Sequence, residues 1–247
     1  MIFSEMNSTR IAETSSAEGR QFVESVLSLK PQVAAFDCDG TLWAGDAGEG
    51  FFDWELSQGF LPSEIVRWAR PRYADYKAGK VSEEDMCGEM VTMHRGLHES
   101  KVQRAAQQYF DTYIAPQIFP EMQELVRRLQ EQRCDVWAVS STNEWVIRAA
   151  MPHFGIADEK ILAAAVEIEN GKITDRSIRI PTGAGKPRAI RSVVRRDPDA
   201  AFGNSRWDAE MLKIAPHSFA VNPNADLEKI AREQAWTMYF PDSIRHR

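Results

Sequence analysis

The chain has 247 residues, of which 43% are hydrophobic, enough to bury the core of one large α/β domain or of a core domain carrying a smaller one. Thirty Lys and Arg residues against 36 Asp and Glu residues give a net charge of -6, which argues against nucleic acid or an anionic membrane surface as the main partner. No apolar run reaches the roughly 18 residues of a membrane span, and residues 1–30 lack the pattern of a secretory signal. Three widely separated cysteines suit free thiols, so we expect a cytoplasmic protein.

Short apolar runs, each followed by a polar or glycine-containing cluster, indicate buried strands. They cover residues 33–36, 136–139, 200–202, 219–221 and 236–239. Helical spacings lie around and between them, at residues 21–30, 122–129, 145–150, 190–194, 209–214 and 227–231. Because strands that alternate with helices form parallel sheets, the pattern predicts an α/β fold built on a parallel sheet.

Residues 46–117 interrupt this alternation, because they contain only helical patterns. We expect a helical cap there, inserted into a catalytic core formed by residues 1–45 and 118–247. Ligands of open α/β sheets bind beyond the carboxyl ends of the strands, so such a cap would cover the site. A smaller departure lies at residues 164–180, where Asn170-Gly171 predicts a tight hairpin turn.

The first candidate site follows the first predicted strand, in the segment Phe36-Asp37-Cys38-Asp39-Gly40-Thr41. In extended chain, residues i and i+2 point the same way, so Asp37 and Asp39 are expected to face one reaction centre. Two such close carboxylates repel each other unless a cation or a shared proton intervenes. A divalent cation that prefers oxygen ligands, above all Mg²⁺, would resolve the conflict, whereas the alternative is an acidic turn that only ends a strand.

Two further polar groups follow later in the chain. Ser140 comes directly after the second predicted strand, where its hydroxyl suits either a phosphoryl oxygen or the N-cap of the next helix. Lys186, within Gly183-Ala184-Gly185-Lys186-Pro187, offers a point positive charge to phosphate, although a lysine after glycines also suits a solvated loop. The segment is not a P-loop, because Pro187 stands where that motif needs Ser or Thr.

The last cluster, Gly203-Asn204-Ser205-Arg206-Trp207-Asp208, follows the third predicted strand. The amide oxygen of Asn204 and the carboxylate of Asp208 are both reasonable ligands of a hard cation. The alternative is an ordinary turn with Asp208 in the first turn of a helix, where its charge meets the positive end of the helix dipole.

Together these segments resemble the four motifs of the haloacid dehalogenase superfamily of phosphohydrolases, in the same order. The resemblance extends from about Val33 to the C-terminus and implies a Rossmann-like three-layer core with a parallel sheet and an inserted helical cap. Within the superfamily, the cap after the first motif and the Gly-Lys-Pro run are most similar to phosphoserine phosphatase and its relatives. Dehalogenases proper lack the second aspartate, so Asp39 favours phosphate chemistry.

Carried over residue by residue, the resemblance implies the catalytic roles. Asp37 is then the nucleophile that becomes an aspartyl phosphate, and Asp39 protonates the leaving oxygen before it activates water. Ser140 and Lys186 then hold the phosphoryl group and offset its charge. The implied function is a Mg²⁺-dependent phosphomonoesterase acting on a small metabolite.

The resemblance also implies the binding residues. The Mg²⁺ ligands are expected to come from Asp37, Asp39, Asn204 and Asp208. Substrate binding is assigned to Asp46, Ser141 and Gly185, and Asp46 corresponds to an acidic residue that reaches the substrate amine in relatives. The expected partner is a small-molecule phosphomonoester, with no nucleic acid and no membrane; the oligomeric state is left open.

Two departures from the family pattern keep alternatives open. Asn204 stands where the family has Asp, which leaves one negative charge fewer and raises the alternative of a non-catalytic binding module. Met90 stands where phosphoserine phosphatases place the cap arginine that binds the substrate carboxylate. Aromatic and acidic residues of the cap instead suit a cationic head group such as choline or ethanolamine, although packing of a small domain explains the aromatics too. A phosphotransferase that passes the phosphoryl group to an alcohol is the remaining alternative.

Overall fold

The computed structural model describes residues 16–245, and its core is a seven-stranded sheet. The strands are β1 (Val33–Phe36), β2 (Asp135–Asn143), β3 (Ile161–Glu169), β4 (Lys172–Arg179), β5 (Ala200–Gly203), β6 (His217–Val221) and β7 (Thr237–Tyr239). Their order in the sheet is β4-β3-β2-β1-β5-β6-β7, and all neighbours are parallel except β3 and β4. The chain therefore reverses its direction of winding at β1, the position at which such sheets bind ligands.

Helices cover both faces of this sheet. They are α1 (Ala17–Ser28), α2 (Ala47–Ser57), α3 (Ser63–Lys77), α4 (Glu83–Thr92), α5 (Glu99–Tyr109), α6 (Pro120–Glu131), α7 (Glu144–Ala150), α8 (Gly185–Val193), α9 (Ala209–Lys213), α10 (Ala225–Glu233) and α11 (Asp242–Arg245). A π-helical turn at Phe110–Ile114 and a 3₁₀ turn at Ala115–Gln117 follow α5. None of the helices within residues 16–245 is both long and apolar enough to cross a membrane.

The alternation of side chains along β1 creates the three layers. Ala34 and Phe36 belong to the larger apolar cluster, together with residues of α1, α6 and α7. Val33 and Ala35 belong to a second cluster on the opposite face, together with residues of α8, α9 and α10. A strand that is completely covered on both faces reads as a continuous apolar run, which is why the sequence marks β1 so clearly.

The helices of residues 46–117 pack in two ways. Helices α4 and α5 lie directly against the strands β2–β4 and helix α7 of the core. Helix α3 lies farther out, on a third apolar cluster that includes Phe52, Leu56, Leu61, Ala69 and Met93. This packing makes α3 the least anchored of the inserted helices. The division of the chain into a core and a cap stays a prediction.

The link between α4 and α5 runs beside the β3–β4 hairpin. The Gly96 N–H donates to the Ile173 carbonyl at 2.8 Å, and the Ile173 N–H donates to the Leu97 carbonyl at 3.0 Å. The Glu99 N–H donates to the Gly171 carbonyl at 3.0 Å. The inserted segment is therefore joined to the sheet by backbone hydrogen bonds.

The α/β fold with its parallel sheet is confirmed, and so is the hairpin at Asn170-Gly171. The largest differences concern boundaries: β2 continues through Ser140 to Asn143, and α8 begins at Gly185. Residues 1–15 lie outside the described residues; they are the first part of the expected core and half of the stretch 1–30, for which no secretory signal was expected.

We expect Tyr239→Phe to destabilise the C-terminal edge of the sheet. The buried Glu121 carboxylate accepts hydrogen bonds from the Tyr239 hydroxyl at 2.9 Å and from the Asp242 N–H at 2.6 Å. The substitution keeps the stacking of this ring on Phe22 but removes one donor from a buried carboxylate, so the free energy of unfolding should fall by about 1–3 kcal/mol. Urea denaturation measures the change, with Tyr113→Phe at an exposed ring as the control; equal stabilities of the two variants would contradict the prediction.

Candidate active site

A buried lysine joins two aspartates at the carboxyl end of β1. The Lys186 ammonium donates to Asp37 Oδ1 at 2.7 Å, to Asp208 Oδ1 at 2.5 Å and to the Val139 carbonyl at 2.9 Å. These contacts use all three of its hydrogen-bond donors. The exposed fraction of the Lys186 and Asp208 residues is only 1%. One ammonium thus holds together the end of β1, the middle of β2, the start of α8 and the loop after β5.

Burial makes the Asp37 carboxylate costly to ionise. Its pKa is raised to about 7, first by desolvation and second by the charge of Asp208, while Lys186 and the Thr41 hydroxyl act in the opposite direction. The Thr41 hydroxyl donates to Asp37 Oδ2 at 2.9 Å. Burial alone would lower the pKa of Lys186, but the two carboxylates outweigh it and raise that pKa. Lys186 is therefore permanently charged, and one positive charge faces two carboxylates.

Asp39 points to different partners. The Trp43 indole N–H and the Ala47 backbone N–H donate to Asp39 Oδ1 at 2.9 and 2.6 Å. The Thr142 hydroxyl donates to Asp39 Oδ2 at 2.7 Å. Desolvation and the charge of Asp46 raise the pKa of Asp39 to about 7, against the hydrogen bonds from Thr142 and Ala47. This pKa suits a group that donates and then accepts a proton near neutral pH.

The loop after β5 packs closely against the turn after β1. Asp208 Oδ2 accepts from the backbone N–H groups of Asn204 and Ser205 at 3.0 and 2.9 Å, which closes the loop on itself. Gly40 has φ +73°, and a Cβ there would lie 1.8 Å from Asn204 Nδ2. The glycine is thus required both for the turn and for the approach of the Asn204 amide.

These side chains surround one cavity of about 410 Å³, which we call the catalytic cavity. Its walls include Asp37, Asp39, Gly40, Asp46, Tyr76, Glu83, Ser141, Thr142, Lys186, Asn204, Ser205, Trp207 and Asp208. A wider opening between α3 and the loop before α8 leads to it. Seven of the nine predicted site residues therefore line one cavity: Asp37, Asp39, Asp46, Ser141, Lys186, Asn204 and Asp208.

Ser140 and Gly185 lie outside the walls of this cavity. The Ser140 hydroxyl is buried and accepts a hydrogen bond from the Thr142 N–H at 3.1 Å. Gly185 is buried at the start of α8. Their assigned roles stay predictions, while Ser141 and Thr142 stand at the cavity wall that was expected for Ser140.

An inner chamber of about 50 Å³ adjoins the catalytic cavity on the side of the inserted helices. Its walls are formed by Asp46, Gly48, Glu49, Tyr73, Tyr76, Glu83, Met86, Cys87, Met90, Ser141, Thr142 and Asn143. Asp46 caps α2 by accepting from the Glu49 N–H at 2.8 Å, and Glu83 accepts from the Tyr76 hydroxyl. Among the described residues, neither Asp46 nor Glu83 has a basic ion-pair partner, whereas Glu49 is paired with Lys77.

Four arginines of the inserted segment, which could replace an arginine at the position of Met90, have other partners. Arg72 forms two hydrogen bonds with Glu89 at 2.7 and 2.6 Å, and Arg95 pairs with Asp175 at 2.8 Å. Arg70 lies 3.8 Å from Asp53, and Arg67 donates to the Ser63 hydroxyl. The walls of the inner chamber contain no Lys or Arg among the described residues, and Met90 lies where the family pattern places an arginine.

The donors around Asp37 fit a hard divalent cation. The Asp37 and Asp208 carboxylates and the amide oxygen of Asn204 are hard donors, and the single charge of Lys186 faces two carboxylates. Within residues 16–245, no three His, Cys, Asp or Glu side chains form a ready-made metal cluster. Asp37, Asp39 and Asp208 each accept hydrogen bonds at both carboxylate oxygens, so the assignment of the four metal ligands stays a prediction.

Comparison with known proteins decides the family. Residues 34–213 match the family of haloacid dehalogenase-like hydrolases, a stretch that spans β1 to the end of α9. The chain belongs to this family. The predicted resemblance is thereby confirmed, and the chain is a hydrolase.

The haloacid dehalogenase-like relatives include proteins named as phosphatases. The chain is 24% identical to the histidinol-phosphatase of Neisseria meningitidis serogroup C (strain 8013), over 83% of its own length and 96% of that protein. A solved protein of unknown function from Bordetella pertussis Tohama I shares the fold with a TM-score of 0.73 and 19% identity, covering 84% of this chain and 97% of that one. A phospho-aspartyl intermediate analogue of phosphoserine phosphatase has a TM-score of 0.57 and 17% identity, covering 85% and 92%.

We expect Lys186→Met to destabilise this haloacid dehalogenase-like chain, because it leaves the Asp37 and Asp208 carboxylates buried without their counter-charge. The loss in free energy of unfolding should be about 3–5 kcal/mol in the presence of a metal chelator. Without Lys186 the pKa of Asp37, which burial already raises to about 7, rises farther above its unfolded value. Stability is then retained at low pH, where Asp37 is protonated, and is lost as the pH rises.

Urea denaturation at pH 6 and pH 8 measures this loss, with Lys213→Met at the exposed Glu210 pair as the matched control. Adding Asp208→Asn to Lys186→Met should restore part of the stability. A loss that is the same at both pH values would contradict the electrostatic explanation.

Proposed function

We propose that the chain is a Mg²⁺-dependent phosphomonoesterase that hydrolyses a small phosphorylated metabolite through an aspartyl phosphate on Asp37. The observation that carries the proposal is the buried Asp37–Lys186–Asp208 arrangement beside Asp39 in one cavity. The phosphatase names among the relatives support the same chemistry. The cavity wall contains the carboxyl groups of Asp37, Asp39, Asp46, Glu83 and Asp208. Because this negative charge repels a phosphate dianion, binding of the substrate requires a cation.

The residues divide the work between two displacements. An oxygen of Asp37 attacks phosphorus, the bond from phosphorus to the leaving oxygen breaks, and that oxygen takes a proton from Asp39. In the second displacement Asp39 takes a proton from water, whose oxygen attacks phosphorus, and the bond to Asp37 breaks to release phosphate. When bound by Asp37, Asn204 and Asp208, Mg²⁺ supplies positive charge against the phosphoryl oxygens. Lys186 has no spare N–H, so it orients Asp37 and offsets charge unless it exchanges a partner.

We expect Asp37→Asn to lower the hydrolysis of an aryl phosphate by a factor on the order of 10³ or more, because the amide cannot act as the nucleophile. Phosphate release is measured with Mg²⁺ and with a chelator, and chelation should abolish the activity of the unmodified protein. Mass spectrometry of rapidly quenched protein should find the phosphoryl group on the peptide that contains Asp37. Asp197→Asn, at an exposed carboxylate paired with Arg191, is the matched control.

Equal rates for the unmodified protein and the Asp37→Asn variant would support the non-catalytic binding module. Transfer of phosphate to an added alcohol in place of water would support the phosphotransferase.

The inner chamber favours substrates whose leaving group carries a cationic nitrogen, such as phosphoethanolamine or phosphocholine. Neither Asp46 nor Glu83 has an ion-pair partner within residues 16–245, and the rings of Tyr73 and Tyr76 form part of the wall. Desolvation and, less strongly, the charge of Asp46 raise the pKa of Glu83, so an ammonium group would favour the ionised carboxylate, and aromatic faces also attract cations. The described residues place no arginine in the wall of this chamber to bind a substrate carboxylate, which disfavours phosphoserine.

We expect Glu83→Gln to lower the ratio of kcat/KM for phosphoethanolamine to that for an aryl phosphate by about tenfold, because one charged contact to the ammonium is lost. The substituted amide still accepts the Tyr76 hydrogen bond. Glu84→Gln, the neighbouring exposed carboxylate, is the matched control and should leave the ratio unchanged. Equal values of kcat/KM for glycerol phosphate and phosphoethanolamine in the unmodified protein would refute the cationic preference.

A further inference from the structure

The two oxygens of the Asp39 carboxylate have partners of different chemical character. Oδ1 receives hydrogen bonds from the Trp43 indole N–H and the Ala47 backbone N–H, at 2.9 and 2.6 Å. Oδ2 receives one hydrogen bond, from the Thr142 hydroxyl at 2.7 Å. An indole N–H and a backbone N–H can only donate, whereas a hydroxyl can donate or accept. The two oxygens are therefore not equivalent toward a proton.

A proton on Oδ1 would point at two groups that also carry protons, and both hydrogen bonds would be lost inside a buried site. A proton on Oδ2 meets a different situation, because the Thr142 hydroxyl can rotate and accept it. Thr142 lies in the wall of the catalytic cavity, whereas Trp43 is completely buried behind Asp39. The oxygen that tolerates a proton is thus also the one beside the cavity.

We propose that Thr142 is a positioning residue that makes Oδ2 the proton-carrying oxygen of Asp39, while Trp43 and Ala47 keep Oδ1 as a permanent acceptor. The inference rests on the proposed function, because it assigns the proton of that reaction to one atom. It adds a residue on β2, far from Asp39 in sequence, to the machinery that moves this proton.

The surroundings of Thr142 hold its hydroxyl in place. The Thr142 N–H donates to the Ser140 hydroxyl at 3.1 Å, and the next residue, Asn143, caps α7 by accepting from the Val146 N–H at 3.0 Å. On the opposite side the first turn of α2 approaches closely. A Cβ at Gly48 would lie 2.5 Å from Thr142 Oγ1, so only a residue without a side chain leaves room for the hydroxyl.

Both proton transfers then use the same oxygen. In the first displacement the O–H bond at Oδ2 breaks, the leaving oxygen takes the proton, and the Thr142 hydroxyl turns to donate to the newly charged Oδ2. In the second displacement an O–H bond of water breaks, Oδ2 takes the proton, and the Thr142 hydroxyl turns back to accept. Asp39 ends in the protonation state in which it began, and Oδ1 keeps its two donors throughout.

The test compares esters that differ in their need for a proton. An alkyl oxygen leaves phosphorus only with a proton, whereas nitrophenolate leaves as an anion. The measured quantity is the rate of alcohol release in a single turnover with Mg²⁺, which isolates the first displacement from the common second one. We expect Thr142→Val to lower the ratio of the alkyl rate to the aryl rate at least about tenfold, since general acid catalysis contributes roughly 10²–10⁴ in rate. Thr142→Ser, which keeps the hydroxyl, should restore most of the ratio.

Two further variants separate positioning from folding. Gly48→Ala leaves Thr142 in the chain but displaces its hydroxyl, so it should lower the same ratio. Thr112→Val makes the same chemical change at an exposed hydroxyl that bonds the Gln108 carbonyl, and it should leave the ratio unchanged. If Thr142→Val does not fold, Gly48→Ala and Thr142→Ser still decide the question.

A Thr142→Val protein that loses the alkyl and aryl rates by the same factor would overturn the inference and leave the proposed function intact, because the hydroxyl would then serve the structure alone. A Thr142→Val protein that keeps both rates at their original values would overturn it in the same way. If the unmodified protein hydrolyses neither ester, the proposed function fails and this inference fails with it.

Discussion

The hydrogen bonds of one ammonium group hold the site together. Lys186 reaches Asp37 at the end of β1, the Val139 carbonyl within β2 and Asp208 in the loop after β5. These strands are adjacent in the sheet, so the contact depends on the order of the strands and in turn fixes their ends. A buried ammonium is tolerated only with such partners. A substitution of one of these partners therefore affects both the stability of the fold and the geometry of the site. The negative charge around Asp37 and Asp39 is the property on which the proposed metal-assisted reaction depends.

The sequence predicts the sheet well because its strands are covered on both faces and read as apolar runs. It fails where polar residues continue a regular element. Ser140, Ser141 and Thr142 have the composition of a loop, yet β2 continues to Asn143, which pairs with Ala164 of β3. Gly185 has the composition of a loop as well, although it begins α8. In both places contacts with distant parts of the chain, and not local preference, decide the backbone.

The candidate site shows the same division. The spacing of Asp37 and Asp39 correctly indicates one shared cavity, but it does not indicate that the two carboxylates turn to different partners. Asp39 binds Thr142, which lies 103 positions later, so no local pattern contains that contact. Trp43 lies only four positions after Asp39, and its indole N–H donates to Asp39 Oδ1. This short spacing, which the prediction did not use, could have indicated a partner for the Asp39 carboxylate. The acidic character of the inner chamber is visible in the composition, whereas the engagement of Arg72 by Glu89 requires coordinates.

The backbone bonds between residues 96–99 and the β3–β4 hairpin affect more than the position of the inserted helices. Strand β4 is the edge of the sheet, and an edge strand offers unpaired amide and carbonyl groups to any passing chain. The inserted segment occupies these groups at Gly171 and Ile173, and farther along the edge Arg176 forms ion pairs with Glu167 and Glu169. The same inserted segment that lines the inner chamber therefore also occupies part of the exposed edge of the sheet, which limits the pairing of β4 with another chain.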